Sequence, residues 1–300
     1  MLTFFSTPKP FRGHIDVIQR NALQSWRRID RDVEILLFGD DAGAAEVCAE
    51  LGIRHIQNVR RNAHGTKYLA DIYDQAQELA KHDLVCHVNC DIILMDDFRA
   101  ALRQVSTERK TFLMSGRRWD VDIREPLTFD ESSWAERVRE MALRTNHQRP
   151  ANWIDYFAFR KGLFHRRIPE FVIGRPGWDN WLLWFARASG ASVVDASEVV
   201  LAVHQNHDYG YHPQGEKGVW EGEEAQENYR LLEGNKRFRT LENASDILRR
   251  DGLHRNHRHW LVQGKRELRG VLAPVWFRFL DATRPFRHRI GLREKGGTPL

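Results

Sequence analysis

Apolar positions along this chain follow two periods that alternate from the N-terminus to Ser115. Residues 2–6 form a short apolar run, read as a strand ended by Thr7 and Pro8. Residues 15–26 have helical spacing, with Ile15, Ile18, Ala22 and Trp26 on one side. Residues 33–38 are apolar apart from Glu34 and close on Gly39-Asp40-Asp41, the pattern of a strand buried on both faces. A short helix over 42–51 and a strand over 54–56 come next. The stretch 66–80 predicts a helix capped by Thr66, with Leu69, Ile72, Tyr73, Ala76 and Leu79 recurring at three and four. Residues 84–88 predict a strand, 92–95 another apolar run, 98–105 a helix capped by Asp96-Asp97, and 111–115 a strand. Strands spaced by helices in this way are the βαβ signature of a mostly parallel sheet.

From Arg118 the pattern loosens. It predicts a charged amphipathic helix over 134–144, a strand over 156–159 and a Trp-rich helix over 178–188. Strands over 192–195 and 199–204 follow, then a loop without periodicity over 205–215 and a helix over 221–232. Polar clusters fall immediately after several of these strands: Ser6-Thr7, Asp40-Asp41, Asn89 to Asp91, Gly116-Arg117 and the loop after His204. Ligands of open α/β sheets sit beyond the carboxyl ends of strands, so this recurrence points to an enzyme.

Composition narrows the class. At 300 residues the chain buries enough surface to need no staple. Its three cysteines, Cys48, Cys86 and Cys90, form no CxxC pair, which argues against a disulfide scaffold or a cysteine zinc cluster. The opening MLTFFSTPKPFRG lacks a basic leader before an apolar run, and no stretch reaches the roughly 18–20 apolar residues of a spanning helix. A cytoplasmic location is therefore expected. A formal charge of +5 favours anionic ligands only slightly and does not by itself imply nucleic acid.

Six clusters are candidates for chemistry. Asp91, in Asn89-Cys90-Asp91 at the mouth of a buried strand, suits a hard divalent ion such as Mg²⁺ or Mn²⁺, with further ligands from diphosphate oxygens. Asp40 and Asp41 either accept hydrogen bonds from a base or ribose, or cap the next helix. No GxGxxG or GxxxxGK[ST] occurs, which disfavours a dinucleotide enzyme and a P-loop nucleotidase. Asn62, Lys67 and Arg61 flank a helix start able to face phosphate. Asp179, between Trp178 and Trp181, is placed for a raised pKa and a general-base role, and the tryptophans for stacking on a sugar. His204, His207, Asp208 and His212 supply metal ligands or phosphate contacts, with Lys217 on a loop suited to closing over a diphosphate. The basic, aromatic stretch over 265–295 suits either an interfacial membrane segment or a helix packed on the domain.

Taken in order, TFFS, VEILLFGDD, RRNAHGTKYLA, LVCHVNCDIIL and GWDNWLLW resemble the motifs of a GT-A glycosyltransferase of the family-2-like group of bacterial sugar transferases. The resemblance covers about residues 1–215. It implies an α/β fold, a nucleotide-diphospho-sugar transferase-like, mostly parallel sheet flanked by helices. The catalytic domain would run over 1–235, with a nucleotide half to about 116 and an acceptor half from 117, followed by a basic helical extension over 236–300. The family's DxD motif maps onto Asn89-Cys90-Asp91, with Asn in place of the first Asp, and its catalytic Asp onto Asp179, with Asn180 where a second acid is usual. A histidine after the last core strand, His204 here, is a further metal ligand in many members.

The function expected on this basis is metal-dependent, inverting transfer of a sugar from a nucleotide diphosphate to a glycan or lipid-linked acceptor, with Mn²⁺ or Mg²⁺. Asp179 is the expected base, and Asp91 and His204 the expected metal ligands. Ser6, Asp40, Asp41, Arg61, Asn62, Lys67, Asn89, Arg117 and Lys217 are donor-site candidates, and Trp153, Trp178 and Trp181 stacking candidates. Two alternatives stay open: a metal-dependent hydrolase using the His204 to His212 loop, and a polyanion- or membrane-binding module built on the basic tail, which would add peripheral contact with the membrane's inner face.

Overall fold

The computed structural model describes residues 1–130, 133–208 and 215–257. The chain opens with β1 (Thr3–Ser6), α1 (Gly13–Arg27), β2 (Glu34–Phe38), α2 (Ala44–Leu51), β3 (Arg54–Ile56) and α3 (Leu69–Leu79). It continues through β4 (Leu84–Val88), β5 (Ile92–Ile93), α4 (Asp96–Glu108), β6 (Phe112–Ser115), β7 (Arg118–Val121) and α5 (Trp134–Thr145). Then come β8 (Tyr156–Arg160), α6 (Trp178–Ala188), β9 (Ser192–Asp195), β10 (Ala202–Gln205), α7 (Gly215–Glu221), α8 (Glu223–Leu231), β11 (Asp246–Arg249) and β12 (Gly252–Arg255).

Period-two alternation explains how the strands serve two cores at once. In β1, Phe4 faces one apolar cluster and Phe5 the other. Leu37 and Leu36 of β2, Met114 and Leu113 of β6, and Ala158 and Phe157 of β8 divide the same way. The first cluster takes its helical half from α1, α2 and α4, through Trp26, Val47 and Phe98. The second takes it from α3 and α6, through Tyr73 and Trp181. Trp26 buries its indole completely and still donates from Nε1 to the Ile92 carbonyl at 2.8 Å, so the ring carries no polar penalty.

The expected single, mostly parallel sheet is corrected. Two sheets form among the described residues, a nine-stranded one in the order β12-β11-β9-β6-β8-β4-β1-β2-β3 and a three-stranded one in the order β5-β10-β7. Within the larger, β8 runs antiparallel to both neighbours, β4 and β6, and β11 runs antiparallel to β12. β8 reads YFAFR and is buried on both faces, so its local pattern is that of any central strand, and the sense of pairing is set by partners far away in sequence. The smaller sheet packs against α5 through Ile93, Val121, Val138 and Val203. β7 escapes an apolar reading because its sequence is RWDV: its buried positions include Arg118 and Asp120, which pair with each other.

Other departures are local. Helix α3 begins at Leu69, because residues 62–66 close a tight loop, Asn62 N donating to the Thr66 carbonyl at 2.9 Å, and Tyr68 bridges to Val172 in extended form. Asp96 and Asp97 lie inside α4, although Asp97 still accepts from Phe98 N at 2.7 Å. The helix expected over 221–232 is α8, and an unexpected helix, α7, precedes it, the two separated by an extended Gly222. The residues from Met1 to Asn256 form one compact unit, with β11 and β12 beyond residue 235.

Candidate functional site

A cleft of about 480 Å³ opens where several chain turns converge. β1 delivers Thr7 to Lys9, β4 delivers Asn89 to Asp91, and β10 delivers His204 and His207. The segment before β8 supplies Trp153 and Asp155, and the start of α6 supplies Trp178 and Asp179.

Register builds the first cluster. In β10, His204 lies opposite Ile92 of β5 and opposite Asp120 of β7, so it meets the Asn89–Asp91 turn on one side and a buried carboxylate on the other. Asp91, His204 and His207 each present a ligand atom, and these atoms lie within 4.8 Å of one another. His207 Nε2 is 3.2 Å from Asp91 Oδ2, and the two imidazole rings are 5.4 Å apart. Burial pushes the Asp91 carboxyl up, but the His207 hydrogen bond and the charges of Lys9, His204 and His207 more than offset it and hold the carboxyl below the usual range.

Two observations fit a divalent ion here. Asp91 Oδ1 is buried and without a hydrogen-bond partner, a costly state for a carboxylate oxygen unless a cation meets it. His204 Nδ1 is likewise buried without a hydrogen-bond partner among the described residues, 3.4 Å from Asp120 Oδ1. One carboxylate with two imidazoles is a mixed oxygen and nitrogen donor set.

The second cluster is organised by Asp155. Asn89 Nδ2 donates to its Oδ1 at 2.6 Å and Arg118 Nη1 to its Oδ2 at 2.9 Å. Arg118 also donates to Asp120 Oδ1 at 2.9 Å, which joins both clusters through one guanidinium. The guanidinium groups of Arg118, at 4.7 Å, and Arg149, at 4.4 Å, both lie over the Trp153 ring, with Trp220 5.9 Å away. Both cations hold the ring in place by attraction to its face.

Asp179 sits at the second position of α6, where Asn180 N donates to its Oδ1 at 2.9 Å. Burial pushes its carboxyl up to about 7, the negative charge of Asp155 adds to this, and backbone hydrogen bonds oppose it. The helix can start there because Gly177 takes φ +99°, a conformation closed to most side chains, and a Cβ on it would meet Leu232 Cδ1 at 2.8 Å. Trp178 packs its ring on His87 and Phe157, and burial holds His87 down to about 3, so that imidazole is neutral.

Of the donor-site candidates, Lys67 and Asn89 line the cleft. Lys67 is buried, donates to Thr7 Oγ1 at 2.6 Å and pairs with Asp41. It reaches them across Gly39, where a Cβ would meet Lys67 Cε at 2.5 Å, the close approach that makes glycine necessary there. The others do not line the cleft. Ser6 donates to the Val88 carbonyl at 2.6 Å and ties β1 to β4. Asp40 pairs with Arg61, and Asn62 donates to Glu224 Oε1 at 2.7 Å, anchoring α8. Arg117 N donates to Ser197 Oγ at 2.8 Å, and Lys217 is exposed on α7. Trp181 is in the core, stacked on Phe185 at 4.9 Å. His212 and the tail over 258–300 lie outside the described residues.

Sequence reasoning missed Lys9, Arg118, Asp120, Asp155 and Trp220. The only local signal was an acid immediately before the apolar YFAF of β8. Among the described residues, no helix is long and apolar enough to cross a membrane.

No family model matches the chain, and no curated protein matches it. Solved structures similar to it include S. aureus TarS 1-349 in complex with UDP-GlcNAc, at 12% identity and TM-score 0.45 over 69% of this chain and 59% of that one. Another is the mannosyltransferase PcManGT from Pyrobaculum calidifontis in complex with GDP-Man and Mn²⁺, at 11% identity and TM-score 0.44 over 71% of this chain and 59% of that one. A third is M. tuberculosis glucosyl-3-phosphoglycerate synthase, at 12% identity and TM-score 0.46 over 78% of this chain and 80% of that one. The chain thus spans less than two thirds of the first two. Likeness at this level carries neither a fold family nor an activity over to this chain. The resemblance to a GT-A, family-2-like transferase is corrected accordingly: no family model or curated relative upholds it, and two mixed sheets replace the one mostly parallel sheet it implied.

Proposed function

We propose that this protein is a metal-dependent glycosyltransferase that moves a sugar from a nucleoside diphosphate to a hydroxyl of a glycan or lipid-linked acceptor, with inversion. The observation that carries the reading is that a metal-capable triad, Asp91, His204 and His207, and a carboxyl poised near neutrality, Asp179, open into the same cleft.

Asp91, His204 and His207 hold the divalent ion, Mn²⁺ in preference to Mg²⁺ because two of the three donors are imidazoles. When bound, the ion supplies Lewis-acid stabilisation of the leaving diphosphate. Lys67, buried at the cleft wall, adds positive charge for the donor, and Asn89 keeps Asp155 oriented. Trp153, held in place by Arg118 and Arg149, stacks on a sugar ring, and Trp178 closes the wall beside Asp179. Asp179 takes the proton of the attacking hydroxyl, a task for which a carboxyl near 7 is matched.

Calorimetric titration with UDP, GDP, CDP and dTDP, with and without Mn²⁺, tests the reading. The expected result is binding of one nucleotide that strengthens with Mn²⁺ and is lost in Asp91→Ala. Absence of binding by all four to the folded protein, or release of free sugar to water with no gain from any acceptor, would replace the transferase by a hydrolase.

A further inference from the structure

We propose that Lys9 is an internal cation that occupies the metal-facing side of His207 and Asp91 until a divalent ion displaces it, and that the displaced ammonium then binds the donor diphosphate, so that metal and nucleotide binding are coupled through this one side chain. The inference rests on the site reading above and specifies how that site is regulated.

The geometry turns on one ring. His207 Nδ1 lies 2.7 Å from the Asp208 carbonyl oxygen, which turns Nε2 toward the triad. Nε2 stands 3.2 Å from Asp91 Oδ2 and 2.9 Å from Lys9 Nζ, and the same ammonium stands 3.6 Å from Asp91 Oδ2. A metal ion ligated by His207 must sit on Nε2, at about 2.0–2.1 Å for the shortest such bonds. Lys9 and the ion therefore compete for the same side of the ring and for the charge of one carboxylate. Both cannot hold them, because two like charges so close in a buried cleft repel strongly.

The way out for Lys9 is a side-chain rotation. Its backbone is pinned: Lys9 N donates to Gln19 Oε1 at 2.7 Å, and Gln19 Nε2 returns a hydrogen bond to the Lys9 carbonyl at 2.9 Å. Pro8 and Pro10 flank it. The rotatable bonds are those of the four-carbon stem. Lys9 lines the same cleft as Lys67, which the reading above assigns to the donor. An ammonium pushed out of the triad arrives beside the anionic donor, and its like-charge cost becomes an attraction.

The test is Mn²⁺ binding, measured by electron paramagnetic resonance of the free ion and by calorimetry, in wild type, Lys9→Met and Lys9→Met with Asp91→Asn. Near-ultraviolet circular dichroism confirms the fold of each. Lys9→Met should bind Mn²⁺ alone about tenfold tighter or more than wild type, since a like charge has been removed from the site. Asp91→Asn should abolish that gain. With Mn²⁺ saturating, whichever of UDP, GDP, CDP and dTDP binds wild type should bind Lys9→Met about fivefold or more weakly, the range of ordinary coupling energies. Equal or weaker Mn²⁺ binding in Lys9→Met, while wild type binds through Asp91, overturns the inference and leaves the metal site standing; weaker binding would make Lys9 a ligand. Nucleotide affinity unchanged in Lys9→Met overturns the coupling. Failure of both proteins to bind Mn²⁺ through Asp91 overturns the site reading and this inference with it.

Discussion

Replacing Asp179 by Asn should make the protein more stable and less active at once, and the pH at which each effect sets in follows from one number. Folding raises the Asp179 carboxyl from 3.8 to about 7, chiefly by burial. A carboxyl whose folded pKa is raised opposes folding wherever the unfolded state has already ionised. The cost is absent below pH 3.8, grows as pH rises through the interval, and is complete above about 7. At about 1.4 kcal/mol per unit the full shift amounts to about 4 kcal/mol, and partial contact with water in the cleft reduces this to about 2–4 kcal/mol. Asparagine has no charge to ionise and can keep the hydrogen bond that Asn180 N makes to Oδ1. The assay is urea unfolding of wild type and Asp179→Asn at pH 4 and pH 8, read as the difference between the two proteins so that other titrating groups cancel. The variant should match wild type at pH 4 and exceed it by about 2–4 kcal/mol at pH 8. Transfer should fall by about 10²-fold or more, and the wild-type kcat/KM should rise with pH through an apparent pKa near 7. An equal stability difference at both pH values would refute the reasoning.

Two further substitutions probe the architecture of the cleft. Trp153→Ala removes the ring over which Arg118 and Arg149 lie. It should raise KM for donor or acceptor about tenfold with a smaller effect on kcat, read from initial rates with each substrate varied in turn. Gly177→Ala places a Cβ 2.8 Å from Leu232 Cδ1 on a residue at φ +99°. It should lower stability by about 1–3 kcal/mol, seen as a shifted urea midpoint, while the same change at exposed Gly190, with nothing near its Cβ, registers only backbone strain.

Most helices and central strands were legible because their burial is periodic. Phe4 and Phe5 already announce a strand with a core on each side, and Ile18, Ala22 and Trp26 a helix laid on one of them. The candidate chemistry was legible where it follows a strand or opens a helix, as with Asp91, His204 and Asp179. The candidates that stand outside the cleft share a cause. Asn62, Asp40 and Arg61 carry the residue types of a phosphate site, yet their polar atoms are used by Glu224 and by each other. Trp181 looks like Trp178 in sequence, and both pack in the same core cluster, but Trp178 also lines the cleft and Trp181 does not.

The sequence alone determined most of the helices and central strands and where acids, histidines and tryptophans cluster, since local periodicity and residue chemistry are properties of neighbours in the chain. Only the tertiary structure decided that β8 runs against β4 and β6, and that His204 stands opposite Asp120. The same is true of Lys9 reaching His207 across 198 positions and of Asn89 meeting Asp155 across 66. Those facts depend on strand sense and register, which are set by pairing energies between segments remote in sequence and leave no trace in the pattern of either one.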